Sequence, residues 1–459
     1  MKITFLGGTE TVTGSKYLVE SQSTKVLIDC GLFQGYKWLR KRNWQPLPLD
    51  IQSLDAVLLT HAHLDHSGYI PVLYKNGYRG PVFTHHATKA LCHILLADSG
   101  HIQEEDTRFY RKHKLSKHDH PEPLYDQETA IASMQLFKPM DFKQPGKVGD
   151  ISFHFQSAGH ILGAASIILE AEGKTVAFSG DVGRPDDILM KSPQPLPTVD
   201  LLLLESTYGN RRHEMGDPFE QLAEVVNKTA AKGGVLLIPA FAVGRAQVIQ
   251  HILVTLMGQK LIPKMPIYLD SPMAITVSNV YCHFSDQHKL THQQCELMGS
   301  GINYTNSVDQ SKAIAEQMFP HIIIAGSGMA TGGRILHHFK RLLGNPRTTV
   351  LFSGYQAGGT RGAKMLSGVE NVKIHGDWIP VKAEVTNMEG LSGHGDYIDI
   401  EQWVKSSSLR KKTQVYLVHG DPDALEGMRE HLNKTTSYQV DIASYLQVLN
   451  LADMTPTIP

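Results

Sequence analysis

Hydrophobic and polar positions fall into two textures along this chain. Over residues 1–208, short apolar runs are separated by glycine and polar turns: 3–6, 17–19, 26–28, 56–60, 81–84, 151–155, 166–169, 175–178 and 199–204. Runs of this length bounded by turn residues predict strands. Between them, 67–74 predicts a helix that breaks at Gly77, and 87–110 predicts a longer one. The polar, proline-bearing stretch 111–127 predicts a loop, with His113, His118 and His120 as solvated residues. From about residue 209 strands and helices alternate. Asp217-Pro218 supplies an N-cap and a first-turn proline, and Gly233-Gly234 supplies the stop. Apolar runs at 235–238, 267–269, 322–325 and 350–352 then predict the strands of a parallel sheet. The tail returns to the first texture, with a strand at 415–418. The expected organisation is one domain in two parts, 1–208 and 371–459, with 209–370 inserted as an α/β domain of its own.

The residues just beyond the strands carry the candidate chemistry. The runs lead into Asp29, His61, Asp181, Glu205 and His419. Ligand-binding groups in α/β sheets gather beyond strand ends, on loops held by a rigid scaffold. Five such endings predict one shared site. Its centre is His61-Ala62-His63-Leu64-Asp65-His66, where two histidines at i and i+2 are expected on one face of a strand end.

Composition narrows the chemistry. With 459 residues, 41% hydrophobic and 19% charged, the chain has the profile of a globular protein of two or three domains. No apolar run reaches the roughly 18 residues of a membrane span, and the start is expected to be a strand and not a signal peptide. Four cysteines without a CxxC pair predict no disulfide framework and fit a reducing cytoplasm. A formal net charge of −1 excludes a basic nucleic-acid coat, so a polyanion must be held locally. The one basic run, Lys37, Arg40, Lys41 and Arg42, reads as a solvated face.

The candidate ligands sort into two sets. His61, His63 and His160 suit one metal ion, and Asp65, His66 and His419 suit a second, with Asp181 able to bridge. Imidazole and carboxylate without thiolate suit Zn²⁺, with Mn²⁺ and Fe left open. Two zinc ions per chain would lower the pKa of water from about 15.7 to about 7. Two divalent ions, two aspartates and one hydroxide leave about one positive charge, suited to an anionic ester. Asp65 is counted among the catalytic residues as well as the ligands. His394, in Gly390-Leu391-Ser392-Gly393-His394-Gly395-Asp396, is the candidate general acid, and Glu205 is the carboxylate expected to hold it protonated. Asp29 is expected to orient a histidine ligand from behind. In the inserted domain, the glycine-rich loop Gly326-Ser327-Gly328-Met329-Ala330-Thr331-Gly332-Gly333-Arg334 is a candidate phosphate cradle. Ser327 and Arg334, with Arg245 and Arg361 elsewhere in that domain, are its candidate substrate contacts.

These motifs resemble a known family. HAHLDH, His160, Asp181 and the Asp29 strand end look like the metallo-β-lactamase fold. Glu205 in ESTYG, His394 in LSGHGD and His419 in LVHGD, with PAFAVGRAQ, DSPMA and GSGMATGGR, resemble its β-CASP branch. That branch contains the endonuclease subunit of the cleavage and polyadenylation specificity factor and its bacterial and archaeal relatives. The resemblance spans nearly the whole chain. It implies an αββα sandwich with a β-CASP domain inserted, two zinc ions, and hydrolysis of RNA phosphodiester bonds in a cleft between domains. It also implies Glu205 and His394 as the proton-donating pair. The branch that acts on DNA has a small aliphatic residue where this chain has His419, which favours RNA. The partner expected is single-stranded RNA, with no membrane, and a homodimer is a second expected source of RNA affinity. Endonucleolytic cleavage in RNA processing or decay leads. A 5'-3' exoribonuclease of the same branch, a thioester hydrolase and a non-catalytic binding protein are the competing expectations.

Overall fold

The computed structural model describes residues 1–112, 121–213, 216–354, 356, 359–453 and 455–457. His113, His118 and His120 lie outside the described residues. The chain divides into two compact units, Met1–Arg212 with His394–Pro459, and His213–Gly393.

The first unit contains two sheets. One has eight strands in the order Thr455–Thr457, Val448–Asn450, Lys2–Gly7, Lys16–Glu20, Lys25–Ile28, Ala56–Leu58, Val82–His85 and Phe137–Met140. The other has seven, in the order Gln439–Ile442, Gln414–Val418, Leu201–Glu205, Lys174–Phe178, Ala165–Ala171, Ile151–Ser157 and Gly146–Val148. Their facing sides form one core. Phe5, Val19, Val26 and Ile28 of the first sheet pack with Phe155, Ile167, Leu169, Val176 and Leu203 of the second. Side chains alternate across a strand, so Ile168 points the other way. It joins Ala177, Leu202 and Leu204 against Trp403 and Val404 of helix Tyr397–Ser406 and Leu425 and Met428 of helix Pro422–Thr435. A sheet covered on both faces needs strands apolar at every position. That is why 199–204 and 175–178 read as continuous apolar runs. Helix His86–Lys112 packs on strands Val82–His85 and Phe137–Met140 of the first sheet, which completes a helix–sheet–sheet–helix sandwich.

Register decides where the functional residues emerge. Lys174–Phe178, Leu201–Glu205 and Gln414–Val418 are parallel neighbours, with Phe178 opposite Leu203 and Glu205 opposite Val418. Asp181, Glu205 and His419 therefore leave the same edge of one sheet. In the other sheet Ile28 lies opposite Leu58, so Asp29 and His61 leave side by side.

The second unit is built on a six-stranded sheet in the order Asn303–Tyr304, Ile267–Asp270, His321–Ala325, Val235–Pro239, Thr349–Phe352 and Glu384–Asn387. All its pairings are parallel, as the alternating texture predicts. Its far boundary lies beyond residue 370, at Gly393. The hairpin Asn371–Ile374 and Asp377–Pro380 puts Val372 and Ile374 into this unit's core, and Glu384–Asn387 pairs with Thr349–Phe352. Two local readings also change. The strand before the histidine motif stops at Leu58, so His61 and His63 stand on a loop and not on a strand face. The helix read over 67–74 is two short helices, Leu64–Ser67 and Ile70–Lys75. At the break, a Cβ on Gly68 would lie 2.5 Å from the Leu64 carbonyl oxygen and 2.9 Å from the Leu32 side chain. No described helix is long and apolar enough to cross a membrane.

Candidate metal centre

The loop that carries the histidine motif is tied down on both sides. The Thr60 backbone N–H donates to Asp29 Oδ1 at 2.8 Å, and its hydroxyl donates to Asp29 Oδ2 at 2.9 Å. The short helix Leu64–Ser67 is held by its carbonyls. Ser15, Cys30 and Leu32 donate backbone N–H groups to the carbonyls of Asp65, His66 and Leu64 at 2.9, 2.7 and 2.8 Å. Gly31 makes that close approach possible, since a Cβ there would sit 1.6 Å from the Asp65 carbonyl oxygen. Asp29 and His419 both adopt left-handed backbone, with φ of 57° and 51°. Non-glycine residues take that conformation at a cost, and such positions cluster where surrounding structure fixes a functional side chain.

The side chains converge as two overlapping sets. His61, His63, His160 and Asp181 bring ligand atoms within 4.8 Å of one another, as do Asp65, His66 and His419. Asp181 reaches both. Its Oδ2 is 3.3 Å from His61 Nε2 and 3.6 Å from His160 Nε2, and its Oδ1 is 3.2 Å from His66 Nε2. The remaining separations are 3.1 Å for His61 Nε2 to His63 Nδ1, 3.3 Å for His160 Nε2 to His63 Nδ1, and 3.1 Å for His66 Nε2 to His419 Nε2. His419 Nε2 is 3.5 Å from Asp65 Oδ2. A tetrahedral zinc with bonds of about 2.0–2.1 Å spaces its ligand atoms about 3.3–3.4 Å apart. The observed spacings match that edge. Asp181 Oδ1 is buried and accepts no hydrogen bond among the described residues, an orphan that a cation would satisfy. The residues present therefore fit metal ions, and the donor set of imidazole and carboxylate fits zinc.

At His61 and Asp181 the electrostatics point the same way, whereas at His66 burial opposes charge but Asp181 and Asp29 raise the pKa well above its ordinary value. Burial, reinforced by His66, pushes the His61 pKa down to about 3, which keeps its nitrogen free to ligate. Burial would raise the Asp181 carboxyl, but His419, His66 and His61 around it hold it well below the usual carboxylate range. The histidines are also oriented from outside. His66 Nδ1 donates to Asp29 Oδ2 at 2.7 Å, which turns Nε2 inward.

Beside this centre, Asp181, Glu205 and His394 form a third set. His394 Nδ1 lies 3.1 Å from Glu205 Oε1, and Nε2 lies 4.0 Å from Asp181 Oδ2. Glu205 is fixed by the backbone N–H groups of Val182 and Thr207, at 2.9 and 3.0 Å. Burial opposes charge on His394, but Glu205 overcomes it and raises the pKa to about 9. Glu205 thus favours the protonated form of the His394 ring.

These observations meet what comparison with known proteins finds. Residues 24–237 match the beta-lactamase superfamily domain, 246–365 the Beta-Casp domain, and 378–443 the Zn-dependent metallo-hydrolase RNA specificity domain. The chain is 36% identical to Ribonuclease TTHA0252 of Thermus thermophilus, covering 93% of this chain and 94% of that one. The chain belongs to the β-CASP branch of the metallo-β-lactamase superfamily. This makes it a metallo-hydrolase. The transcription termination factor FttA of Methanosarcina mazei is 30% identical over 98% of this chain and 72% of its own. The cleavage and polyadenylation specificity factor 73 of Drosophila melanogaster is 28% identical over 98% of this chain and 64% of its own. A crystal structure of an Enterococcus faecalis protein of unknown function shares the fold, with a TM-score of 0.53, 13% identity, and coverage of 98% and 99%.

The inserted β-CASP residues have their own setting. Arg245 opens the helix Arg245–Gly258 after Gly244, and its guanidinium Nη2 lies 3.5 Å from where a Gly354 Cβ would be. Ser327 Oγ accepts from the backbone N–H groups of Thr331 and Gly332, at 3.1 and 3.3 Å, and so ties the glycine-rich loop to itself. Arg334 differs from its expected role as a phosphate contact. Its guanidinium donates to Asp270 Oδ1 at 2.6 Å and to the carbonyls of Thr305 and Asn306 at 3.1 and 2.9 Å, so three of its five N–H donors are committed inside the unit. Arg361 is committed too, to the carbonyls of Ala330 and Lys373.

Two residues of the centre escaped the sequence reading. Thr60 links Asp29 to His61, with its hydroxyl 3.0 Å from His61 Nδ1. The Thr207 hydroxyl lies 3.1 Å from His419 Nδ1. Both adjoin motif residues, in LLTHAHLDH and ESTYG, and a hydroxyl one or two positions from a motif residue was the available signal.

Proposed function

We propose that this chain is a zinc-dependent ribonuclease that cuts single-stranded RNA at internal phosphodiester bonds, in RNA processing or decay, with two metal ions per chain. The observation that carries the reading is the convergence of seven buried or half-buried histidine and aspartate side chains, Asp181 among them, with His394 held by Glu205 beside them. His61, His63 and His160 would hold one ion, Asp65, His66 and His419 the other, and Asp181 would bridge. Zinc bound there supplies Lewis acidity and a water acidic enough to ionise near neutral pH.

The chain's own groups do the rest. The backbone bonds to helix Leu64–Ser67 and the Asp29–Thr60 bonds fix the ligand rings before substrate arrives, so no reorganisation is needed during reaction. Asp65, the most exposed acid of the set at 20%, orients the attacking water. As that oxygen bonds to phosphorus, the bond to the leaving ribose oxygen breaks. His394, with Nδ1 occupied by Glu205, gives its Nε2 proton to that leaving oxygen. Arg245 and the Ser327 loop are the proposed phosphate contacts of the inserted unit. RNA is supported by the names of the relatives and by the RNA specificity domain.

Purified protein should be incubated with one end-labelled strand as RNA and as DNA, and with a panel of thioesters. Internal RNA fragments that vanish with chelator and in His394→Ala are expected. Mononucleotides released in order from one end would make it an exonuclease. Intact RNA with thioester turnover would refute the ribonuclease reading.

A further inference from the structure

We propose that residues 36–44 form a stacking platform that grips single-stranded RNA outside the catalytic centre, a site that rests on the ribonuclease reading above. In this stretch three aromatic rings stand in solvent: Tyr36 at 62% exposure, Trp38 at 55% and Trp44 at 62%. Large aromatic side chains are normally buried for their apolar area, so three exposed within nine residues need a reason. Lys37, Arg40, Lys41 and Arg42 interleave with them, and no acidic residue occurs from 31 to 49. The segment concentrates four positive charges in a chain whose net charge is −1. Among the described residues, Lys37, Arg40, Lys41 and Arg42 form no ion pair. A merely solvated face would be expected to carry counter-charges and to hide its tryptophans.

The segment is held rather than loose. Leu39 is buried, and Asn43 closes the neck of the loop by exchanging two hydrogen bonds with the Phe33 backbone, at 2.9 and 2.8 Å. The Tyr69 hydroxyl donates to the Asn43 carbonyl at 3.3 Å. The Arg42 guanidinium lies 3.9 Å from the Tyr445 ring centre and 5.1 Å from that of Trp38, so a cation steadies the indole. The root of the loop is the same backbone that holds the metal centre, because Leu32 donates to the carbonyl of Leu64, next to Asp65. Tyr36 lies four positions beyond Leu32, an extended reach of at most about 14 Å. The platform thus begins within a few nucleotides' reach of the centre, inside one compact unit.

Rings exposed to solvent among cations without counter-charges match single-stranded nucleic acid, where bases stack on aromatic faces and phosphates meet Lys and Arg. Stacking is indifferent to base identity, so the platform would add affinity and direction without sequence preference.

The test uses the full chain with His394→Ala to keep RNA intact, and a fluorescein-labelled oligouridylate as the probe. Trp38→Ala with Trp44→Ala should weaken binding roughly 5- to 150-fold for each ring. Lys37→Gln, Arg40→Gln and Lys41→Gln together should reduce the slope of log affinity against log salt by about 2, at roughly 0.7 for each phosphate no longer neutralised. Leu39, Arg42 and Asn43 stay in place, and unchanged thermal melts will show that the loop's anchors hold. In the active protein the same changes should raise KM and spare kcat. If wild type cleaves RNA while both variants bind with wild-type affinity and salt slope, the platform is refuted and the ribonuclease stands. If wild type neither binds nor cleaves RNA, the ribonuclease reading falls, and the platform falls with it.

Discussion

Asp29→Asn is a sharp test of how the centre is built, because it changes one atom and one charge. The backbone should not object: Asp29 sits at φ 57°, and asparagine tolerates the left-handed region better than most residues. The side chain is the difficulty. Both carboxylate oxygens accept hydrogen bonds, Oδ1 from the Thr60 N–H at 2.8 Å, and Oδ2 from the Thr60 hydroxyl at 2.9 Å and His66 Nδ1 at 2.7 Å. An asparagine has one acceptor and must aim its NH₂ at one side. Aimed at Thr60, it meets an N–H donor head on, at a buried position 1% exposed. Aimed at His66, it forces the proton onto Nε2, the atom that faces Asp181 at 3.2 Å, and a protonated nitrogen cannot ligate. Either way the His66 site loses a charge-assisted bond. Changes of this kind behind a metal ligand cost about 10–100-fold in metal affinity, or about 1–3 kcal/mol. Stripping the protein of metal and titrating zinc against a chromophoric chelator reads this directly. Of the two proposed zinc sites, the one that includes His66 should weaken by that factor, and the one of His61, His63 and His160 should change less. Two zinc dissociation constants within twofold of wild type would refute Asp29 as the orienting group.

The same geometry sets other expectations. Thr60→Val keeps the shape but removes the hydroxyl 3.0 Å from His61 Nδ1, so zinc at the His61 site should weaken, by roughly tenfold or more, in the same chelator assay. His394→Ala should lower kcat for RNA by about 10²–10⁴-fold with zinc content unchanged, and a kcat within threefold of wild type would exclude it as the general acid. Chelator should abolish cleavage and added zinc should restore it. In the second unit, burial would raise the Asp270 carboxyl, but His338 at 2.7 Å, Ser311 and Arg334 at 2.6 Å hold it below its ordinary value. Its contribution to stability is therefore complete above the unfolded carboxyl pKa of about 3.9 and is lost as pH falls through the lower folded value. In Arg334→Met the acid-induced loss, monitored by urea melts, should be smaller than in wild type and complete at a higher pH.

How far the sequence discloses this protein depends on the scale at which each part is encoded. The sandwich was legible because strands buried on both faces must be apolar throughout, and 175–178 and 199–204 are. The residues just past those strands were legible because ligand-type side chains stand out after apolar runs. The helix break at Gly68 was not, since the tight packing of that position on the Leu32 side chain, 36 residues away in sequence, is a tertiary contact. Nor was the reach of the second unit to Gly393. Its last strands, Asn371–Ile374 and Glu384–Asn387, are four residues each, and Glu384–Asn387 is half-buried throughout, so neither carries a long apolar run. Pairing with Thr349–Phe352 recruits the latter strand. Arg334 shows a further limit. An arginine at the end of a glycine-rich loop looks the same on paper whether it meets a phosphate or a buried Asp270, and only the partner decides. The basic run at 37–42 illustrates the reverse case. Its charges were visible at once, and the structure does place Lys37, Arg40 and Lys41 in solvent; that Trp38 and Trp44 stand there with them is seen only in the fold. Sequence names the groups a site can use; burial and register determine which of them converge and which stay committed elsewhere, and the proposed chemistry draws on those that converge.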